Sequence, residues 1–195
     1  MSTSTELQVV LADQHRLIAQ KLRTVADSAG ADRQSGFDDL RRYLAAHEAA
    51  AEVGIHSSVT TGPIAPLTGA RTAEEHAFAR IVTQMESLGI DSAEFGDLLA
   101  SLSAAVAEHA AAEEQQELPR IVAVTTDAHL DRMLLALRTV PTVTAGSGHS
   151  VTMAATFTYA DLRLAAATEF GTIPEDTIAR LNTPDAPHHF HRHKG

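Results

Sequence analysis

Apolar residues recur along this chain at intervals of three and four, the signature of amphipathic helices. Leu7, Leu11, His15, Ile18, Leu22 and Val25 fall at spacings of four, four, three, four and three, which places them on one continuous helical face. The spacing predicts a first helix from a cap near Ser4–Thr5 to about Ser28, ended by Gly30. Phe37, Leu40, Leu44, His47, Ala51 and Ile55 predict a second over 35–58. TTGPIAPLTGAR (60–71), with two prolines and two glycines, reads as a loop. Thr72 followed by Glu75 reads as a capping box opening a third helix, with His76, Ala79, Ile81, Val82, Met85 and Leu88 leading to Gly89. Asp91 or Ser92 caps a fourth, whose inner face runs Phe95, Leu98 or Leu99, Leu102, Val106, His109, Glu113 and Gln116 before Pro119 stops it. DAHLDRMLLALRTV (127–140) continues this helix or forms another.

Four amphipathic helices on short connections predict an all-α protein, an up-down-up-down four-helix bundle over residues 1–140. Residues 141–195 form a C-terminal extension: a flexible connector (TVTAGSGHSVT), an additional short helical segment (ADLRLAAATEF) and a polar, histidine-rich tail.

Composition agrees with that picture. Of 195 residues 44% are hydrophobic, but aromatics make up only 4% and tryptophan is absent. The apolar content is rich in alanine, which favours closely packed helices over sheets. Cysteine is absent, which excludes disulfides, thiolate nucleophiles and thiolate metal sites. A net charge of −10 without a basic stripe argues against nucleic-acid binding. No uncharged apolar run approaches the ~20 residues that span a membrane, and MSTSTELQVVLADQHR lacks the pattern of a secretory signal. A soluble, cytoplasmic protein is expected.

Candidate chemistry lies with the histidines, eleven in all. His15, His47, His76 and His109 each fall on the inward stripe of a different predicted helix. Buried imidazoles each require a partner, and one shared metal ion would serve all four. Glu113 sits one turn after His109 on the same face, and a buried carboxylate also calls for a cation. Imidazoles with carboxylates in a bundle core suit non-haem iron, with manganese or zinc as possible occupants. His129, His149 and the HHFHRH tail show no helical partners, and the tail reads as structural rather than as a metal-delivery device.

Four stretches carry a family resemblance: ADQHRLI, LRRYLAAHEAAAE, EEHAFARIVTQMESL and FGDLLASLSAAVAEHAAAEEQQELP. The last is the most specific, with glutamates at plus four and plus five from the histidine and Leu–Pro at plus nine and plus ten. Over about residues 7–120 the chain resembles a hemerythrin-like domain of the histidine–histidine–glutamate cation-binding type. The resemblance implies a non-haem di-iron centre with His15, His47, His76, His109 and Glu113 as ligands, and bridging carboxylates from the second and fourth helices. In the second helix the bridging position is Ala51. At about 100° per residue, Glu48 lies nearer than Glu52 to the shared face of His47 and position 51. Glu48 is therefore the expected substitute, while Glu52 is expected to be solvated, near an outward-facing His56. The third helix has Arg80 and Thr72 where a second histidine would stand, so single-metal occupancy is also open.

Three functions follow from such a core. The first is binding or sensing of dioxygen, nitric oxide or peroxide, or iron handling. The second is an oxidative enzyme using dioxygen or peroxide on the same metal. The third is a metal-free helical module for interaction or regulation, with Ala51 as its best support.

Overall fold

Ser2 Oγ accepts a hydrogen bond from the Thr5 amide at 3.3 Å and opens α1, Thr3–Asp27, slightly ahead of the expected cap. The structure, a computed structural model, describes residues 2–55, 64–145 and 157–171. The α1 stripe is buried at every expected position, with Gln14 added. Gly30, at φ +52°, does more than end α1. Its left-handed backbone turns the chain directly into α2, Gly30–Gly54, because glycine has no Cβ to clash there. The first turns of α2 escape the periodicity because they are polar and largely exposed.

The helix α3, Ala65–Leu88, begins seven residues before the proposed cap at Thr72. Pro66 lies in its first turn, where a missing N–H leaves no bond unmade, so the proline starts the helix. The stretch read as loop up to Arg71 is thus mostly helical, and Glu75 is not a capping residue. His56 lies outside the described residues, as do His149 and the histidine-rich tail.

Ser92 caps α4, Ala93–Ala112, its Oγ accepting from the Glu94 amide at 3.3 Å. Pro119 does not stop this helix. A π-helical turn over Glu113–Glu117 leads into α5, Leu118–Val124, with the proline in the first turn of α5. The Leu118 amide reaches back to the Glu113 carbonyl, the longer bond of a π-turn. The widened turn takes up a proline that would clash in a regular helix interior. It also turns Glu117 into the core (1% exposed) and leaves Gln116 outside.

The chain continues as α6, Asp127–Ala145, which runs through Pro141, and α7, Tyr159–Gly171. Part of the expected connector therefore belongs to α6, and the expected short helix is α7. All the described secondary structure is helical. Among the described residues no helix is long and apolar enough to cross a membrane.

One hydrophobic core joins all these helices, and α2 lies at its centre. It packs extensively on α1, α6 and α7, whereas α2 and α3 barely meet and α7 touches both. Every residue from Tyr43 to Ala51 is buried. A helix enclosed on all sides shows no single apolar stripe, and alanine lets its neighbours approach closely. At Gly54 an added Cβ would stand 3.0 Å from the Ala136 Cβ, so α6 closes on α2 at a glycine. The helix α7 buries Tyr159, Leu162, Ala166 and Phe170. Burying each of its large apolar side chains contributes on the order of 1.5–3 kcal/mol.

Candidate metal centre

Imidazoles from α1 and α2 and a carboxylate from the π-turn converge in this core. One ligand atom each from His15, His47 and Glu113 lies within 4.8 Å of the other two, and all three residues are buried. His15 Nε2 stands 3.1 Å from Glu113 Oε2. His109 Nε2, one turn earlier on α4, stands 3.7 Å from the same oxygen. The His15 ring lies edge-on to His47 at 5.0 Å and to His109 at 6.4 Å between centroids.

The outer nitrogens of the three rings are all engaged. His15 Nδ1 donates to Glu114 Oε1 at 2.6 Å, His47 Nδ1 to Gln14 Oε1 at 2.8 Å, and His109 Nδ1 to Glu74 Oε2 at 2.9 Å. A carboxylate oxygen can only accept, so Nδ1 carries the proton in His15 and His109. For His47 the Gln14 amide settles the matter: its nitrogen donates to the Leu137 carbonyl of α6 at 2.5 Å, which leaves its oxygen for the imidazole. In each neutral ring the lone pair then belongs to Nε2. This is how metal-binding histidines are oriented, with outer acceptors fixing the tautomer.

Charge reinforces the geometry. Burial alone would lower the His15 pKa, but the hydrogen bond and charge of Glu113, and then those of Glu114, outweigh it and raise the pKa. Burial would likewise raise Glu113, yet His15, followed by His109 and His47, holds its carboxyl well below the usual range. For His109 burial prevails over the carboxylates and lowers the pKa, with His15 adding to the effect. The His15 ring and the Glu113 carboxylate, 3.1 Å apart, thus favour each other's charged forms. The donor set of imidazoles plus carboxylate fits a borderline divalent ion such as iron.

Two expected ligands lie elsewhere. His76 is exposed, and the preceding residue, Glu75, takes the inward place at 1% exposure. The buried positions of α3 run Thr68, Glu75, Phe78, Val82 and Met85, one residue out of phase with the expected His76 and Ala79. Extending the Met85, Val82, Phe78 spacing backwards by three would have found Glu75. Its pKa lies well above the carboxylate range because of burial, then the charges of Glu48 and Glu113, with Arg163 opposing.

Glu48 is buried as expected (1% exposed), but its Oε2 lies 3.1 Å from Arg163 Nε of α7. Burial pushes its pKa up to about 8, against the pull of Arg163 and of the Tyr159 hydroxyl beside it. Its carboxylate is not in the converging His15–His47–Glu113 group. Glu52 is half-buried rather than solvated, and its charge acts on Glu75. His129 sits apart on α6, its Nδ1 accepting from Arg132 at 2.8 Å.

The residues that sequence reasoning missed are Gln14, Glu74, Glu75 and Arg163. Gln14 and Glu74 precede inward-facing positions by one residue, and only their tertiary hydrogen bonds reveal them. No curated protein and no solved structure gave a match to the chain. The family model described as the hemerythrin HHE cation-binding domain matches residues 7–121. With more than half its length matched and a histidine–histidine–glutamate cluster at its core, the chain belongs to the hemerythrin HHE cation-binding domain family.

Proposed function

We propose that the protein holds non-haem iron at His15, His47, His109 and Glu113, and uses it to bind or sense dioxygen, nitric oxide or peroxide in the cytoplasm. In this reading α1–α4 form the up-down-up-down bundle and the later helices are built onto it. The observation that carries the proposal is the set of three imidazoles whose Nδ1 atoms are tied outward, to Glu114, Gln14 and Glu74, leaving Nε2 available near Glu113. Bound iron would supply a redox couple able to take a small ligand. The chain's own part is to keep the rings in one tautomer, to supply a carboxylate already ionised, and to exclude water with Leu11, Ile18, Phe78 and Val106, all buried.

A surface groove favours a second reading, an enzyme that turns over peroxide or dioxygen. The groove, about 350 Å³, is lined by Gln8, Val9, Ala12, Glu114 and Leu118, so it reaches the carboxylate that hydrogen-bonds His15. Reconstitution separates the readings. Protein loaded with Fe(II) under nitrogen and desalted should retain iron and develop visible absorption on exposure to air or nitric oxide. Iron lost on desalting would defeat both readings, and sustained peroxide consumption would select the second.

A further inference from the structure

The helix α6 lies outside the matched family domain, yet it reaches the candidate metal centre. Gln14 on α1 is the link, a buried amide whose two ends face different helices. Its Oε1 accepts from His47 Nδ1 of α2 at 2.8 Å, and its Nε2 donates to the Leu137 carbonyl of α6 at 2.5 Å. Leu137 is fully buried, and α6 is held along α1 by two further pairs, Thr3 with Asp131 and Arg138 with Glu6.

A carbonyl inside a helix normally accepts from the N–H four residues later. For Leu137 that residue is Pro141, inside α6, which has no N–H to give. Proline also crowds the carbonyl four residues before it and so disfavours its ordinary helical place. The carbonyl that the proline deprives of its helical donor is therefore the one that Gln14 uses. Pro141 itself is exposed, so no packing of its ring in the core accounts for a residue so unfavourable in a helix interior. The direction of the Gln14 amide decides the tautomer of His47. A carbonyl can only accept, so the Leu137 oxygen holds the NH2 end of the amide and leaves Oε1 for the imidazole. Reversed, the amide would present N–H to Nδ1, and the ring would carry its proton on Nε2, where a metal needs the lone pair.

We propose that Pro141 is a positioning residue for the metal centre: lacking an N–H, it leaves the Leu137 carbonyl to Gln14, which then fixes the tautomer of His47. Its consequence for metal rests on the reading above, but the tautomer is measured without metal, which keeps the two apart. Pro141→Ala returns an N–H to α6 and, at an exposed position, should fold with an unchanged or higher Tm. In the metal-free whole chain, NMR of isotope-labelled histidine at mildly alkaline pH should show His47 protonated on Nδ1. The signal is assigned by its loss in His47→Gln, and in Pro141→Ala it should become a mixture of both tautomers. Co(II), the metal probe, should bind about three- to tenfold more weakly to Pro141→Ala, less than the loss from removing the Gln14 amide that touches the ring. Added to Gln14→Leu, the same substitution should change Co(II) affinity by less than about twofold, because the path is already cut. An unchanged His47 tautomer in Pro141→Ala, or an equal loss of affinity with and without Gln14, would overturn the proposal. If wild type retains no Co(II) after desalting, the metal reading falls, and the tautomer comparison still decides the role of Pro141.

Discussion

The two ends of the polar core are built from neighbouring residues of one helix, yet they handle charge differently. His47 and Glu48 adjoin on α2, and the ~100° between consecutive helical residues sends them to different neighbours. His47 joins His15, His109 and Glu113, where the charges that act on the carboxylate belong to imidazoles, which can give up a proton. Glu48 meets Arg163, whose charge is permanent. A site made of exchangeable protons can trade them for a metal ion, since metal binding displaces protons from its ligands. A site closed by a guanidinium cannot. The difference teaches that buried acidity alone does not mark a metal position; what matters is whether the counter-charge can leave.

The largest expected effect is at the exchangeable end. Glu113→Gln removes the carboxylate that the imidazoles face and should abolish metal retention. At metal concentrations near one hundred times Kd, wild type gains roughly 2.7 kcal/mol from ligand linkage, a Tm rise of about 5–10 °C, and the variant none. Thermal melts with and without Co(II) measure this, and an equal rise in both proteins would remove Glu113 from the centre.

A smaller loss is expected one bond further out. Gln14→Leu deprives the His47 Nδ1 proton of its acceptor and cuts the link to the Leu137 carbonyl. Co(II) affinity should fall about 10–100-fold, while Gln14→Glu, which still accepts from His47, should recover part of it. Competition titration against a chelator reads both, and an unchanged affinity in Gln14→Leu would show that the tautomer needs no such support.

The smallest effect is expected at His76. It is exposed, so His76→Ala should leave metal affinity within about twofold and stability within about 0.5 kcal/mol. A strong loss of metal would return this histidine to the centre and break the contrast between the two ends.

Much of the histidine end was legible in the sequence. The stripes of α1 and α4 are strongly periodic, and HAAAEEQQELP sets His109 and Glu113 one turn apart. The same stretch concealed its π-turn, because a proline after a helical run signals a stop unless the backbone widens to admit it. The third helix misled through local chemistry: the prolines and glycines of 60–71 suggested a loop, and a capping role for Glu75 hid an interior one. The pairing of Glu48 with Arg163 lay beyond reach, because only tertiary packing brings α7 to α2. Nor does periodicity report α2 well, since a helix covered on every side has no exposed face to alternate with.

That enclosure of α2 has an evolutionary consequence. An ordinary surface helix has an outward stripe on which substitutions accumulate harmlessly, so drift leaves a periodic trace. From Tyr43 through Ala51 there is no such stripe, because every side chain is enclosed. Enlarging any of the alanines would press on α1, α6 or α7, and overpacking of this kind typically costs 1–3 kcal/mol. Tolerance to substitution along this helix should form a solid intolerant block, and the residues best able to vary without loss lie instead on the polar first turns that begin at Gly30.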